Sequence, residues 1–228
     1  MQEWEWSSSG GPCMANARRT KAMGWRAATL AVTAAAAGLL LFPAPAEAHL
    51  NSTGMGPVYD GLAHFLLSPE DIVPVVALAL LAGLRGAEYG RRALFVLPVS
   101  WFAGCVLGSF TTHGTSLPVP AMSFLVLGGL VAANARISLR LLSLLAIVLG
   151  LAHGWMNGAG MGWSNELIGA YAGLVAAIFV VVALVAAFVV KLQREWERIA
   201  VRVAGSWIVA SGLLLLGWAV RMRKGAGL

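Results

Sequence analysis

Four histidines and a small set of acidic residues are the side chains in this 228-residue chain that could bind a cation. Asp60 and His64 are four positions apart, so a helix would place them on one face. A carboxylate and an imidazole at that spacing can bind one metal ion, or the carboxylate can orient the imidazole. The pair could also simply satisfy itself by a hydrogen bond, and the spacing leaves these alternatives open.

Two further acids, Glu70 and Asp71, follow Ser68 and Pro69 in a pattern that is typical of a helix start. Serine favours the position before a helix, proline favours its first position, and acidic side chains favour the positive end of the helix dipole. Helix initiation therefore explains both acids without a ligand role, and a metal role for either one needs separate support.

A third group of polar residues follows a later apolar run. His153 is predicted to end that apolar helix, and Asn157 lies four positions further on. A histidine at a helix end can interact with the dipole there, and beside Asn157 it could also line a polar cavity. His113 belongs to a polar segment closed by prolines and is interpreted as a loop histidine.

The composition restricts the class of protein that carries these residues. Hydrophobic residues make up 59% of the chain and charged residues 11%, whereas a soluble domain has about 25% charged residues. The mean hydropathy of +0.78 agrees with this. These values exclude a soluble enzyme, a disordered chain and a disulfide-rich secreted module. They predict an all-α polytopic transmembrane helical bundle.

The first 48 residues have the pattern of a leader and signal peptide. Basic residues precede an apolar run over positions 27–42, and the sequence Ala-Glu-Ala ends at Ala48. Cleavage after Ala48 is expected, and an uncleaved anchor helix is the alternative. Cleavage would make His49 the new N-terminus, whose amine and imidazole can chelate a transition metal, although any residue can follow a cleavage site. It would also remove Cys13, which leaves Cys105 without a disulfide partner in the mature chain.

The mature part, residues 49–228, is predicted to be one transmembrane domain with six apolar spans. An interfacial or partly re-entrant helix is expected over positions 57–67, before the first span. The six predicted spans are Ser68–Leu84, Ala93–Thr112, Pro118–Ala135, Ile137–His153, Glu166–Val190 and Val203–Val220.

The basic residues predict the orientation of this bundle. Of the twelve Lys and Arg residues beyond position 48, eight fall between spans one and two, three and four, or five and six, and a ninth, Arg140, lies in the first turn of span four. By the positive-inside rule, these segments face the cytoplasm, and the mature N-terminus lies on the outer side of the membrane. All four histidines and Asp60, Glu70 and Asp71 then lie on the outer side, and three basic residues after span six disagree with the pattern. The formal charge of +6 therefore indicates orientation in a bilayer and not nucleic-acid binding.

The types of ligand leave the identity of the metal open. Met55, Met156 and Met161 belong to the same outer side as the histidines. Thioethers with imidazoles suit Cu(I), whereas imidazoles with carboxylates suit nickel, cobalt or zinc. Methionine is also an ordinary apolar filler, so its presence does not decide between these ions.

Two segments resemble sequence signatures of the HupE/UreJ family. Residues 61–72, Gly-Leu-Ala-His-Phe-Leu-Leu-Ser-Pro-Glu-Asp-Ile, resemble the signature of the family's first helix, Gly-Leu-x-His-Pro-x-x-Gly-x-Asp-His-Leu, and His64 matches its first histidine. Residues 153–158, His-Gly-Trp-Met-Asn-Gly, resemble a later signature, His-Gly-x-Ala-His-Gly. Glu70 stands where the family has Asp, Asp71 stands where it has His, and Asn157 replaces the second histidine of the later signature. These differences replace two imidazoles by oxygen ligands.

Members of this family are small bacterial membrane proteins with a signal peptide and about six helices, associated with nickel or cobalt uptake for hydrogenase and urease. The resemblance implies a permease for a divalent transition-metal ion, with nickel or cobalt favoured and copper or zinc as alternatives. Together with the residue patterns described above, it gives a predicted metal site on the outer side, where the ion would be gathered by His49, Asp60, His64, Glu70 and Asp71. His153 and Asn157 would line the entry.

A competing hypothesis is a non-transporting accessory protein that binds copper or nickel, or assembles a metallocentre, and serves other membrane or periplasmic proteins. Haem ligation by His64 and His153 is a third alternative. An enzyme is not expected, because no His-Glu-x-x-His sequence and no serine–histidine arrangement stands out. The expected partners are the lipid bilayer and the metal ion, with no nucleic acid.

Overall fold

The computed structural model describes residues 53–111, 118–159 and 165–225, and these ranges contain seven α-helices and no β-strand. The described part of the chain is therefore all-α, as the composition predicts. The predicted signal peptide, its cleavage site, His49 and His113 lie outside the described residues. The helices are α1 (Pro57–Leu67), α2 (Pro69–Arg85), α3 (Ala87–Gly108), α4 (Val119–Ala132), α5 (Leu139–Ala159), α6 (Asn165–Val190) and α7 (Glu195–Gly225).

Helices α2 to α7 correspond in order to the six predicted apolar spans, but several bounds differ. α3 begins at Ala87 and therefore includes Arg91 and Arg92, and α7 begins at Glu195, well before the expected start. α5 continues past His153 to Ala159, so the prediction that His153 ends a helix is wrong. The glycines that follow His153 do not end the helix, because they lie at an interface where another helix packs closely against them.

Length and composition identify which helices could cross a membrane. α3, α5, α6 and α7 are long and apolar enough to do so. α1 and α2 pass the same test as a pair but are bent by 75° between them, so they form a broken span or a re-entrant segment. α4 is a shorter apolar helix of 14 residues. The described residues thus form a membrane protein with four or five candidate spans, and the count of six stays a prediction.

α2 is the central helix of the bundle, because it contacts each of the six other described helices. Most residues from Pro74 to Leu84 are buried, and the buried ones are all apolar. The helix begins at Pro69, as the sequence pattern predicts, although the Ser68 side chain makes no capping hydrogen bond. This central position carries Asp71, in the first turn of α2, into the middle of the bundle.

The contact between α3 and α5 is the most extensive of the described helix pairs. Every fourth residue of α5 from Gly150 to Gly158 is a glycine that lies against α3. A Cβ atom at Gly154 would collide with the backbone oxygen of Trp101, and one at Gly158 would collide with that of Cys105. Small residues at this spacing allow two helix backbones to approach closely in lipid. The close approach holds the residue next to Gly154, His153, against α3.

Arginines collect at the end of the bundle opposite to Asp71. The Arg198 Nη2 atom donates to the Leu84 carbonyl oxygen at 3.2 Å, and Arg202 Nε donates to the Ala132 carbonyl oxygen at 3.0 Å. Leu84 and Ala132 lie in the last turns of α2 and α4, where carbonyl groups have no partner within the helix. α7 therefore caps two helix ends, and the bundle has one arginine-rich end and one end that contains the Asp71 region.

Candidate functional site

Asp71 is the centre of a hydrogen-bonded group of side chains from four helices. The Asp71 residue is 4% exposed, and its two carboxylate oxygens accept hydrogen bonds from two residues of α5. The His153 Nδ1 atom lies 3.0 Å from Asp71 Oδ1, and the Asn157 Nδ2 atom donates to Asp71 Oδ2 at 3.0 Å. His153 and Asn157 are four positions apart on one helix, so both can face the same carboxylate.

Burial of Asp71 decides between the two explanations of the acids at the start of α2. Glu70 is exposed, whereas Asp71 is buried and bonded to α5. A role in starting the helix therefore accounts for Glu70. It does not fully account for Asp71, whose side chain also bonds to α5. A buried carboxylate is costly unless it is paired and hydrogen-bonded, and His153 provides its ion-pair partner when the imidazole is protonated.

His64 joins the group through Asn157. The Asn157 Nδ2 atom donates to Asp71, so the Oδ1 atom of the same amide is an acceptor, and His64 Nε2 lies 3.1 Å from it. This arrangement requires a hydrogen on Nε2 of His64 and leaves Nδ1 with a free lone pair in the neutral ring. The turn that joins α1 to α2 thereby places His64 next to a group that is built mainly from α5.

Ser123 of α4 extends the group on its other side. Its Oγ atom lies 3.0 Å from His153 Nε2 and 2.9 Å from the carbonyl oxygen of Val119. A hydroxyl has one hydrogen, so Ser123 donates either to Val119 or to His153. In the first case, His153 must donate at both nitrogens and is an imidazolium. In the second case, it is neutral. We call these five hydrogen-bonded side chains the polar chain. Their order along it is His64, Asn157, Asp71, His153 and Ser123.

Aromatic side chains cover the polar chain. Trp101 of α3 is fully buried, and its ring centroid lies 5.2 Å from that of His153. Phe65 of α1 meets Trp101 edge to face at a centroid distance of 6.3 Å. The Trp101 indole nitrogen has no hydrogen-bond partner among the described residues. The polar chain therefore lies beside an apolar wall, where a local electrostatic interaction is stronger than it would be in water.

Sequence reasoning missed Ser123 and Trp101. Ser123 is one of several serines that bond to the backbone of their own helix, and Trp101 is an unremarked aromatic residue in an apolar span. Neither residue has a sequence neighbour that marks it as part of a site. Only the packing of α3 and α4 against α5 brings both of them to His153.

The other candidate ligands of the sequence-based prediction are not part of the polar chain. Asp60 Oδ1 accepts hydrogen bonds from the backbone nitrogen of Thr53 at 2.5 Å and from its hydroxyl at 2.7 Å, which fixes the segment before α1. His64 bonds to Asn157 and not to Asp60. Glu70 is exposed, and His49 lies outside the described residues. The structure thus brings together four of the seven predicted residues: His64, Asp71, His153 and Asn157.

Within residues 53–111, 118–159 and 165–225, no three His, Cys, Asp or Glu side chains are arranged as a ready-made metal site. The two imidazoles, the carboxylate and the amide bond to one another instead. A metal ion would therefore have to replace hydrogen bonds of the polar chain. Cys105 is buried and free, so it makes no disulfide with any described residue.

These features define a helical membrane protein with a buried polar site towards one end of the bundle. The HupE / UreJ protein family matches residues 35–215 of the chain, which therefore belongs to that family. The resemblance of the two signature segments is confirmed at the level of the family, which is linked to nickel or cobalt transport or to an accessory function. No curated protein and no solved structure matches the chain.

Proposed function

We propose that this protein binds a divalent transition-metal ion, nickel or cobalt in preference to copper or zinc, and carries it across the bacterial inner membrane from the outer side. The observation that supports the proposal is the polar chain itself. Ionisable groups at membrane depth are costly and usually functional. Asp71 and His153 are both buried and belong to helices that also carry the family signatures.

The donor atoms of the polar chain suit such an ion. Two imidazoles with a carboxylate and an amide oxygen form a mixed nitrogen and oxygen set, which is appropriate for nickel, cobalt or zinc. An incoming cation would take the free lone pair on Nδ1 of His64 and lone pairs of Asp71 that now accept hydrogens. The ion is the transported substrate in this proposal and not a permanent part of the fold.

The arginines at one end of the bundle support the direction. Arg85, Arg198 and Arg202 lie at the end opposite to the polar chain. Positive residues favour the cytoplasmic side, which would place the polar chain towards the outer side and the mature N-terminus outside. We further propose that the signal peptide is removed after Ala48. An intact mass that begins at His49 would support this cleavage, and a mass that retains residues 1–48 would contradict it.

The alternative function is metal binding or metallocentre assembly without transport. The observation that favours it is the apolar character of α2 beyond the polar chain. Between Asp71 and Arg85, the buried side chains of this central helix are all apolar, so α2 offers no further ligand towards the arginine-rich end. In this alternative, the polar chain would hold the ion for a membrane or periplasmic partner.

Metal analysis of the purified protein tests whether the polar chain binds metal. After exposure to nickel, we expect bound metal in the native protein and at least a fivefold loss in His64→Ala, about 1 kcal/mol in binding free energy. Glu70→Gln is the matched control, because it changes a predicted ligand that lies outside the polar chain. Equal metal content in the native protein and in His64→Ala would overturn the site assignment.

Uptake of radiolabelled nickel into proteoliposomes separates the two functions. Flux that is lost in His64→Ala and kept in Glu70→Gln would support the permease. Stoichiometric binding without flux, in vesicles whose protein orientation has been verified, would reject transport and favour the accessory role.

A further inference from the structure

A groove between α3 and α6 lies near the arginine-rich end of the bundle, away from the polar chain. It encloses about 410 Å³. Its walls are formed by small or apolar residues of both helices, and the α6 wall runs from Val182 to Val190, about 12 Å along the helix at 1.5 Å per residue. The lining includes Gly90, Leu94, Ala183, Ala186 and Ala187.

Two cations complete the lining of this groove. Arg91 lies in the second turn of α3, and Lys191 follows the last residue of α6. Both are exposed, and neither forms an ion pair within the described ranges. Glu88 shares a smaller hollow with Arg91 and is also exposed, without an ion pair to either cation. The groove therefore combines an apolar wall with a site of net positive charge.

We propose that this groove binds one anionic phospholipid, with its phosphate between Arg91 and Lys191 and an acyl chain along the wall from Val190 towards Val182. The argument rests on complementarity of both parts. Basic pockets between helices at the cytoplasmic side attract anionic headgroups. A soluble phosphate ion would use the two cations but would leave the apolar wall uncovered.

A second groove on the same molecule provides an internal comparison. It lies between α4 and α5, encloses about 480 Å³ and contains no charged residue in its lining. Val126 and Val148 are among the residues that form it. It offers an acyl chain a similar apolar contact but has no cation that could attract a phosphate. Of these two grooves, only the one between α3 and α6 is therefore expected to select an anionic lipid.

Native mass spectrometry of the full chain in detergent can test the proposal. The probes are phosphatidylglycerol, phosphatidylcholine with the same acyl chains, and soluble glycerol phosphate. We expect one tightly bound phosphatidylglycerol, with phosphatidylcholine bound at least fivefold more weakly. Glycerol phosphate should not bind at comparable concentration. Equal binding of the two lipids would overturn the proposal, and so would glycerol phosphate binding as well as phosphatidylglycerol, because the site would then be one for soluble anions.

Variants locate the lipid. We expect Arg91→Gln and Lys191→Gln each to weaken phosphatidylglycerol binding about fivefold, since one cation near the membrane surface contributes about 1 kcal/mol. Arg194→Gln is the matched control, because Arg194 is exposed in the α6–α7 connection and lines neither groove. An equal loss of phosphatidylglycerol binding in Arg194→Gln would show that the lipid is attracted by the positive surface in general, which would overturn the proposed site.

The apolar half of the groove has its own pair of variants. Ala187→Phe fills the groove at an exposed position, and Val148→Phe adds bulk in the comparison groove. We expect Ala187→Phe to lower phosphatidylglycerol binding at least fivefold and Val148→Phe to leave it within twofold. Unchanged phosphatidylglycerol binding in Ala187→Phe would show that the acyl chain does not lie in this groove, and it would refute the proposal.

Discussion

Asp71 of α2 and His153 of α5 are 82 positions apart in the chain, and their side chains meet at 3.0 Å inside the bundle. Both residues are buried, with exposed fractions of 4% and 1%. Their contact links the central helix to the helix that packs most extensively on α3. It is the direct contact within the polar chain whose two groups can carry opposite charges.

The first prediction concerns the energetic coupling of this pair. Asp71→Ala and His153→Ala should each destabilise the protein, because each leaves a buried polar partner unsatisfied at a cost of about 3 kcal/mol. The double variant should lose less than the sum of the two, with a coupling energy of about 1 kcal/mol or more. Unfolding in detergent, followed for the native protein and all three variants, measures this cycle. Additive losses would show that the two side chains do not interact.

The second prediction concerns the hydrogen bond between Ser123 and His153. Ser123→Ala should lower the free energy of unfolding by about 1 kcal/mol, because it removes a partner of a buried imidazole. Ser143→Ala is the matched control: the Ser143 hydroxyl donates to Leu139 in its own helix, as Ser123 can donate to Val119, but it has no contact with His153.

Nitrogen NMR of labelled histidine provides a second measurement for Ser123→Ala. The signal of His153 Nε2 should shift in this variant and stay unchanged in Ser143→Ala. Identical spectra and identical stability for the two variants would show that the Ser123–His153 contact is not formed in the membrane protein.

The third prediction concerns the close approach of α3 and α5. Gly154→Ala places a Cβ against the Trp101 carbonyl oxygen, so the helices must move apart, and the cost should be about 1–3 kcal/mol. Gly129→Ala is the control, because a Cβ there meets nothing within 4 Å. Since α5 also carries His153, Gly154→Ala should weaken nickel binding as well. Equal thermal stability of the two variants would contradict the packing of this interface.

The fourth prediction separates Asp60 from the polar chain. Asp60→Asn weakens the hydrogen bonds that Thr53 donates to Asp60, so it should loosen the segment before α1 without changing the polar chain. Bound nickel per protein should stay within twofold of the native value, whereas His64→Ala should lose at least fivefold. A large loss of nickel in Asp60→Asn would restore Asp60 as a ligand and show that Thr53 exchanges with the metal.

The sequence predicted the helices better than their ends. Apolar length identified α2 to α7 in order, because a membrane helix requires a long run of apolar residues. The predicted end of α5 at His153 was wrong. Glycine is a poor helix former in isolation, but here the helix continues through Gly154 and Gly158 because both pack closely against α3. The local sequence pattern does not predict which helix a glycine will contact in the folded protein.

By itself, the sequence determined the class of protein, the order of its helices, its two family signatures and a short set of polar residues that included His64, Asp71, His153 and Asn157. Only the tertiary structure decided that Asp71 and not Glu70 enters the site. Adjacent residues on a helix point about 100° apart, and the side from which α5 packs selects one of them. The tertiary structure also decided that Ser123 completes the polar chain and that Asp60 does not belong to the polar chain. Such choices depend on contacts between residues as far apart as His64 and Asn157, 93 positions along the chain, and no local pattern encodes them.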